Sequence, residues 1–249
     1  MRESPASRLK CLDALTLKLM AMAFMVCDHV WATICPGWDW LTMVGRLAYP
    51  IFAFQIVEGF FETHDRKRYL KRMLLFALIS EIPFDLMTDD TLFNPFHQNV
   101  MFTFLIAMLL MCWMERVRGS RWKFVLVSVI CGVLGYLLGI LAMVDYFNGG
   151  VLMVLVFYWT RNLRFGWVFQ LAGIWYICAE LLEGLVLTVT VFGHPVEFYQ
   201  QSLALLALIP IHLYNGKQGR HSRAIQYGCY AFYPAHMLLL YLIRQMILV

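Results

Sequence analysis

Charged side chains are scarce in this sequence. Asp, Glu, Lys and Arg make up 14% of its 249 residues, whereas hydrophobic residues make up 61%. A soluble domain averages about 25% charged residues, so the composition excludes an ordinary soluble globular protein. We therefore expect an integral membrane protein, and the length suits a single domain over residues 1–249 rather than two.

Paired cysteines and phosphate-binding glycine loops are also missing. The seven cysteines are scattered, and no two of them form a Cys-x-x-Cys pair, so the sequence signals neither a disulfide framework nor a zinc site. The sequence also lacks a Gly-rich phosphate loop and a cluster of residues with metal-ligand spacing. We therefore predict no metal and no nucleotide-driven chemistry.

Long apolar runs are what the sequence has instead. A helix that crosses about 30 Å of hydrocarbon needs roughly 20 residues, and its backbone polar groups must be bonded internally. We predict an all-α, polytopic transmembrane helix bundle of about nine spans, in which the short sixth and eighth runs are candidates for partly re-entrant segments. The predicted spans are Ala14–Cys35, Leu41–Glu62, Tyr69–Met87, Gln98–Val117, Trp122–Val144, Tyr146–Thr160, Gly166–Val191, Glu197–Leu213 and Gly228–Ile247.

Lysine and arginine are distributed unevenly among the predicted loops. They occur in the N-terminal tail and in every even-numbered loop, whereas every odd-numbered loop contains none. By the positive-inside rule, the N-terminus is cytoplasmic and the C-terminus faces outside. The basic residues are Arg2, Arg8 and Lys10, then Arg66, Lys67, Arg68, Lys71 and Arg72, then Arg116, Arg118, Arg121 and Lys123, then Arg161 and Arg164, and last Lys217, Arg220 and Arg223.

Ionisable residues lie inside the apolar runs, where charge is costly. Insertion scales put that cost at about 2.5–3.5 kcal/mol per group at a helix centre, so such residues mark function by default. Asp28 and His29 lie in the outer half of the first span, and Arg46 lies at similar depth in the second. We expect Arg46 to pair with a buried carboxylate. Glu81 and Asp85 share one face of the third span.

Further polar residues lie at the outer ends or centres of other spans. Gln98 and Asn99 open the fourth span, His236 lies near the middle of the last, and Glu180 and Glu183 lie in the seventh. A polar cavity that opens to the outer half of the membrane accounts for this convergence. The structural alternative is that intramembrane polar groups only lock helices together, at about 0.6 kcal/mol each.

Five motifs follow one another along the whole chain. They are Asp28-His29, Gly45-Arg46-Leu47-Ala48-Tyr49-Pro50-Ile51-Phe52-Ala53-Phe54, Ser80-Glu81-Ile82-Pro83-Phe84-Asp85, Gln98-Asn99-Val100-Met101-Phe102-Thr103 and Phe232-Tyr233-Pro234-Ala235-His236. In this order and combination they resemble the TraX family of inner-membrane proteins, which is named for acetylating the amino terminus of conjugative pilin. The resemblance implies a multi-pass protein of the bacterial cytoplasmic (inner) membrane.

The TraX family is itself distantly similar to the type 3 membrane acyltransferases and heparan-glucosaminide acetyltransferase. Those enzymes move acyl groups from cytoplasmic acyl-CoA to acceptors across the membrane and use a histidine on an early helix. The resemblance thus implies acetyl-CoA or another acyl-CoA as the donor. The implied acceptor is an amine or hydroxyl. Many TraX-like chains are encoded away from any pilus, so the family name does not fix whether this group belongs to a pilin-like peptide, a glycan or another small molecule. No nucleic-acid partner is expected.

The polar residues can be assigned roles in such a reaction. His29 is the predicted general base, because imidazole has an unperturbed pKa of about 6.5, near the working pH. Asp28 or a neighbouring carboxylate would orient it. Arg46 is the predicted stabiliser of the oxyanion, with Gln98 or Asn99 assisting.

The other predicted site residues support this centre. Glu81 and Asp85 form a like-charged pair that should not ionise fully in a low dielectric. His236 is a predicted binding residue and the second candidate for the base. CoA carries phosphates, which basic side chains at the cytoplasmic mouth can bind, and the predicted residues are Arg66, Arg68, Lys71 and Arg72.

Two other classes of function compete with this hypothesis. A proton- or ion-coupled transporter would use the same buried groups, Asp28, His29, Glu81 and Asp85, as a relay. Against it, the sequence has no internal repeat and no matched pair of broken helices. A purely structural membrane protein is the third class, and the density of buried ionisable residues argues against it.

Overall fold

The structure is a computed structural model that describes residues 10–182, 184–191 and 193–248, and most of these residues are helical. The helices are α1 (Ala14–Thr33), α2 (Asp39–Gly45), α3 (Ala48–Glu62), α4 (Arg66–Asp89), α5 (Val100–Arg116), α6 (Arg121–Leu141), α7 (Phe147–Thr160), α8 (Gly166–Tyr176), α9 (Leu208–His212) and α10 (Arg223–Leu248). Glu183, Arg2 and Arg8, which entered the sequence predictions, lie outside the described residues.

The chain divides into two compact units. Unit 1 comprises Met1–Gln55 and Gly184–Val249, and unit 2 comprises Ile56–Glu183, so the division falls within α3. The single domain that the length suggests over residues 1–249 stays a prediction, because the compactness of two units does not show whether they fold independently.

Unit 1 brings the two ends of the chain together. Asp13 caps α1 by accepting a hydrogen bond of 2.8 Å from the Thr16 backbone N–H, and that bond lowers the pKa of the Asp13 carboxyl. Just before the cap, the Leu12 backbone N–H donates to the carbonyl of Leu213 at 3.0 Å. Helix α10 also packs against α1. The N-terminal helix is therefore held by segments from the last fifth of the chain.

Unit 2 is built around α7, which is buried along most of its length. Such a helix is apolar all round because it meets neighbours on every side. It packs against α6, and Gly139 of α6 is the point where the two backbones come close. A Cβ atom added to Gly139 would lie 2.6 Å from the Phe147 carbonyl oxygen and 2.7 Å from the Asn148 Cα. Only glycine permits this approach of two backbones.

The expected number of nine membrane spans is not confirmed. Within the described residues, three helical segments are long and apolar enough to cross a membrane: Ala14–Thr33, Asp39–Glu62 and Arg121–Leu141. The predicted third span, Tyr69–Met87, lies in a 24-residue helix. Basic residues in its first two turns and acidic residues near its end shorten its apolar stretch. The orientation of the termini stays a prediction.

The all-α prediction is wrong in the segment that joins α8 to α9. The predicted seventh span, Gly166–Val191, is α-helical only to Tyr176. A π-helical turn follows at Ile177–Leu181, and then a strand, β1 (Val186–Val191). This strand pairs antiparallel with β2 (His194–Tyr199), with Val186 opposite Tyr199. The β1 sequence alternates Val or Leu with Thr, which favours a strand, and short apolar runs of this kind do not distinguish strand from helix.

The predicted eighth span, Glu197–Leu213, is not one continuous α-helix, and its re-entrant alternative stays a prediction. Its start lies in β2, and a 3-10 helix (Gln200–Ala207) and the five-residue α9 follow. Neither helix is long enough to cross a membrane. The turn between the strands contains Gly193, whose φ of 83° suits glycine.

Candidate functional site

A pair of histidines joins the first and last helices of unit 1. His29 lies on α1 and His236 on α10, and His29 Nδ1 is 2.8 Å from His236 Nε2. The two rings are nearly parallel, with an interplanar angle of 14° and centroids 4.9 Å apart. His236 is buried and His29 is partly buried. On the opposite side of its ring, His236 Nδ1 lies 2.9 Å from the carbonyl oxygen of Phe232.

These contacts determine which ring nitrogens carry protons in the neutral pair. A carbonyl oxygen only accepts, so His236 Nδ1 must be the protonated nitrogen that donates to Phe232. His236 Nε2 then has a free lone pair and accepts from the Nδ1–H of His29. A neutral imidazole carries one proton, so His29 Nε2 is left with a lone pair. The arrangement therefore leaves His29 Nε2 as a proton acceptor.

A second polar group lies beside this pair and links α1 to α2. Arg46 Nη2 is 2.7 Å from Asp28 Oδ1 and 2.7 Å from Thr42 Oγ1, and the Thr42 hydroxyl donates to the same Asp28 oxygen at 2.7 Å. The expected pairing of Arg46 with a carboxylate is thus confirmed. Because each of the three side chains bonds to the other two, their relative positions are fixed.

Gly45 makes this ion pair possible. A Cβ atom at this position would lie 2.5 Å from Asp28 Cβ and 2.7 Å from Asp28 Oδ1. Because position 45 has no side chain, α2 can approach α1 closely. This approach lets Arg46, the next residue, reach the Asp28 carboxylate.

Arg46 also reaches an amide from the 3-10 helix. Its Nη1 atom donates to Gln201 Oε1 at 3.3 Å, and Gln201 is 4% exposed. The adjacent Gln200 is equally buried. In the part of the chain that the structure describes, the Nε2 atoms of both glutamines are buried and have no hydrogen-bond partner. His29 follows Asp28, the partner of Arg46, in the chain, so unit 1 brings together a base, a cation and the Gln201 amide that contacts this cation.

Glu81 of unit 2 fixes the start of α5. One of its carboxylate oxygens accepts from the Asn99 side-chain amide and, at 3.3 Å, from the Asn99 backbone N–H. Asn99 also donates to the Ala77 carbonyl at 2.9 Å and caps α5 by accepting from the Met101 N–H. The predicted site residues Glu81 and Asn99 are therefore direct partners.

Asp85 holds the loop between α4 and α5. It is fully buried, and its Oδ2 accepts from the Asn94 backbone N–H at 2.8 Å. Gln98 is fixed in the same loop by a backbone bridge to Val144 and by a long 3.5 Å bond from its amide to the Asn94 carbonyl. Among the described residues, Asp85 Oδ1 and Glu81 Oε1 are buried acceptors without a partner.

An outer ion pair accompanies this loop. His97 Nε2 lies 3.9 Å from Asp145 Oδ1, with both side chains about a third exposed. The Asp145 carboxylate is the largest cause that raises the pKa of His97 above its ordinary value, and partial burial opposes it. The folded protein therefore favours the protonated form of His97 more than the unfolded chain does.

The predicted basic segment also lies in unit 2, and its members differ in environment. Arg66 lies 3.8 Å from Glu115 and over the Phe60 ring, and the partly buried Arg72 lies over the Tyr69 ring. Arg68 and Lys71 are exposed. The last two are therefore the members best placed to meet a soluble anion.

The described structure places the predicted residues in two groups. Asp28, His29, Arg46 and His236 lie together in unit 1, and all the other predicted site residues lie in unit 2. The sequence analysis missed Thr42 and Gln201. The adjacent glutamines inside the predicted eighth span were a signal for Gln201, since amides are unusual in an apolar run. No group of three or more His, Cys, Asp or Glu in the described part of the chain is arranged to hold a metal ion.

Comparison with known proteins agrees with the motifs. The profile of the family described as TraX protein matches residues 13–244. The chain is 28% identical to the probable fimbrial assembly protein FimC, serogroup H1, of Dichelobacter nodosus, over 92% of this chain and 94% of that protein. It is 26% identical to Protein TraX of Escherichia coli, over 57% of this chain and 54% of that protein. No solved structure matches. Because the family profile covers nearly the whole chain, this protein belongs to the TraX family.

Proposed function

We propose that this protein is a multi-pass acyltransferase of the bacterial inner membrane. It would move an acyl group, expected to be acetyl, from cytoplasmic acyl-CoA to an amine or hydroxyl acceptor in the outer half of the membrane. The observation that carries the proposal is the hydrogen bond between His29 and His236, because it leaves His29 Nε2 free to take a proton.

Acyl transfer needs that proton acceptor at the moment of attack. As the acceptor nitrogen or oxygen forms a bond to the thioester carbonyl carbon, its proton passes to His29 Nε2. The carbonyl electron pair moves to the oxygen, and collapse of the tetrahedral intermediate breaks the carbon–sulfur bond. The leaving thiolate of CoA then takes the proton back from His29. General-base help of this kind is worth about 10²–10⁴ in rate.

Other predicted site residues would support this reaction. When His29 is protonated, its Nδ1–H still donates to His236 Nε2, so the imidazolium keeps a partner. The Arg46 cation is held by Asp28, the residue before His29, and this carboxylate offsets the cost of keeping that cation away from bulk water. The exposed Arg68 and Lys71 would bind the phosphates of CoA.

The acceptor is proposed from the relatives. One relative is named a probable fimbrial assembly protein, and this name favours a pilin-like peptide as the acceptor, as the resemblance to the TraX family also implies. A glycan or a small amine or alcohol is the alternative, since the reaction chemistry is the same for either acceptor.

A proton-coupled transporter is the second candidate. Among the described residues, Asp85 Oδ1 and Glu81 Oε1 are buried carboxylate oxygens without a partner, and a relay requires acceptors of this type. The Asn99 and Asn94 bonds to the other oxygens favour a role in fixing the loop instead. The same purified protein can test both candidates.

The test is acyl transfer by the purified protein. Detergent-solubilised protein is incubated with radiolabelled acetyl-CoA and a panel of amine and hydroxyl acceptors, and labelled product and CoA release are measured. Wild type should form labelled product, and His29→Asn should not. His194→Asn is the matched control, because His194 is exposed on β2. Absence of label transfer, together with proton-driven flux in liposomes, would favour the transporter.

A further inference from the structure

The side-chain amide of Gln201 is oriented by its contact with Arg46. A guanidinium group has donors only, so the glutamine must turn its oxygen toward Arg46 Nη1, 3.3 Å away. Its Nε2 atom then points elsewhere with two N–H groups. The residue is 4% exposed, and Nε2 has no hydrogen-bond partner in the described ranges.

An unpaired buried donor is unfavourable, because it has lost its hydrogen bonds to water and gained none in the protein. A buried donor without a partner needs an explanation, and a catalytic role, in which a ligand accepts its hydrogen bond, is one of them. The ligand atom must be an acceptor, and the adjacent Arg46 cation favours an oxygen that carries negative charge. A carbonyl oxygen that becomes an oxyanion meets both conditions.

We propose that Gln201 is a catalytic residue whose Nε2 donates to the carbonyl oxygen of the acyl donor, and that Arg46 positions it. This inference rests on the proposed acyl transfer and names the group that binds the acyl oxygen. It also changes the role that the sequence assigned to Arg46. Arg46 Nη2 is already engaged by Asp28 and Thr42, and its Nη1 donates to Gln201.

The chemical step is balanced without a further reactant. Attack of the acceptor on the carbonyl carbon pushes the carbonyl electron pair onto the oxygen, where the N–H of Gln201 stabilises it. When the carbon–sulfur bond breaks, the pair re-forms the double bond and the negative charge leaves on sulfur. A donor already fixed at this position favours the transition state over the ground state.

Gln201→Met is the informative variant, since it retains the length of the side chain and removes both donors. Loss of one such donor lowers kcat by about 10²–10³, and we expect at least a 100-fold loss with KM nearly unchanged. Gln200→Met is the matched control, because Gln200 is equally buried on the same helix and the structure describes no contact between its amide and Arg46. Its kcat should stay within a few fold of wild type.

Vibrational spectroscopy provides a readout that does not need turnover. With acetyl-CoA labelled at the carbonyl carbon, the bound carbonyl stretch should lie at lower wavenumber than in solution. Gln201→Met should return it to the solution position, and Gln200→Met should not. Arg46→Met should weaken the shift, because Gln201 would lose its orientation.

The outcomes separate this inference from the proposed function. If wild type transfers acyl groups but Gln201→Met changes neither kcat nor the carbonyl stretch, the inference is wrong and the proposed function stands. An increase in KM at unchanged kcat, or equal losses in both glutamine variants, also overturns it. If wild type neither binds acetyl-CoA nor transfers the label, the proposed function fails and this inference fails with it.

Discussion

The Nδ1 atom of His29 lies 2.8 Å from the Nε2 atom of His236, although 207 residues separate them in the chain. One histidine belongs to the first described helix and the other to the last. Since His236 is itself held by the Phe232 carbonyl, the contact sets the protonation pattern of both rings. Four predictions follow, two from the contacts of unit 1 and two from residues of unit 2.

Replacement of His29 by asparagine tests the base. The asparagine amide nitrogen occupies the position of Nδ1 and can still donate to His236, but the side chain has no atom that takes a proton. We expect the rate of acyl transfer to fall by a factor of about 10²–10⁴. The melting temperature in detergent should change little, because one buried polar contact contributes about 0.6 kcal/mol to stability. Initial rates and melting curves measure the two effects.

The partner residue supplies the control for this experiment. His236→Gln places a carbonyl oxygen near the position of Nε2 and preserves an acceptor for His29, so most of the activity should remain. His236→Leu removes the acceptor and should lower kcat far more than it raises KM. Near-wild-type turnover in His29→Asn would assign the base to another residue, and equal activity in the two His236 variants would remove the orienting role.

Gly45→Ala tests the close approach of α1 and α2. The added methyl group would lie 2.5 Å from Asp28 Cβ, so the helices must separate and the bonds among Asp28, Thr42 and Arg46 must lengthen. Overpacking of this kind costs about 1–3 kcal/mol, and activity should fall with stability. Gly37→Ala is the control, because nothing lies within 4 Å of its added Cβ. Equal melting temperatures of the two variants would contradict the prediction.

Exposed basic residues of α4 test the donor site. The double variant Arg68→Ala and Lys71→Ala should raise KM for acetyl-CoA, because each side chain is a candidate phosphate ligand. Stability should change little, since both side chains are exposed. The matched control removes two exposed basic residues of α6, Arg121 and Lys123. If both double variants change KM equally, the effect is one of overall charge.

The pair His97 and Asp145 predicts a dependence of stability on pH. Asp145 raises the pKa of His97 above its ordinary value of 6.5, so the folded state binds the proton more tightly than the unfolded state. The stabilisation is complete below pH 6.5 and is lost as the pH rises through the raised value. Since both side chains are about a third exposed, it amounts to about 1 kcal/mol or less.

Asp145→Asn should therefore melt below wild type at pH 5.5 and approach it well above pH 7. The measurement is thermal unfolding in detergent across that range. His97→Gln is the control and should abolish the difference that the Asp145 substitution makes. A gap between Asp145→Asn and wild type that is independent of pH would assign the effect to the backbone contacts of Asp145 instead.

The assignment of secondary structure shows how far local pattern reaches. Residues of the first two predicted spans form helices α1 to α3, because their apolar runs are long and carry few charges. The segment from Gly166 to Leu213 has runs of similar hydropathy, yet it contains a hairpin and short helices. In that segment the alternation of β-branched residues favours a strand, whereas the overall hydropathy favours a membrane helix. The length of the apolar run alone did not decide between the two.

The candidate site was predicted in part. Asp28, His29 and Arg46 stood out because an ionisable group within an apolar run has few roles other than pairing or chemistry. The charge of Arg46 also required a carboxylate nearby. Thr42 and Gln201 did not stand out, since a threonine or an amide in a helix carries no charge that demands a partner.

The sequence by itself determined that this chain is apolar and mostly helical, that it belongs to the TraX family, and that a few polar residues within apolar runs mark a candidate site. Only the tertiary structure decided that His29 meets His236 and that Arg46 orients Gln201. The two histidines are 207 positions apart in the chain, and Arg46 and Gln201 are 155 positions apart. Periodicity and hydropathy report the environment of each segment along the chain, whereas a hydrogen bond depends on which segments pack together and on distances of a few tenths of an ångström.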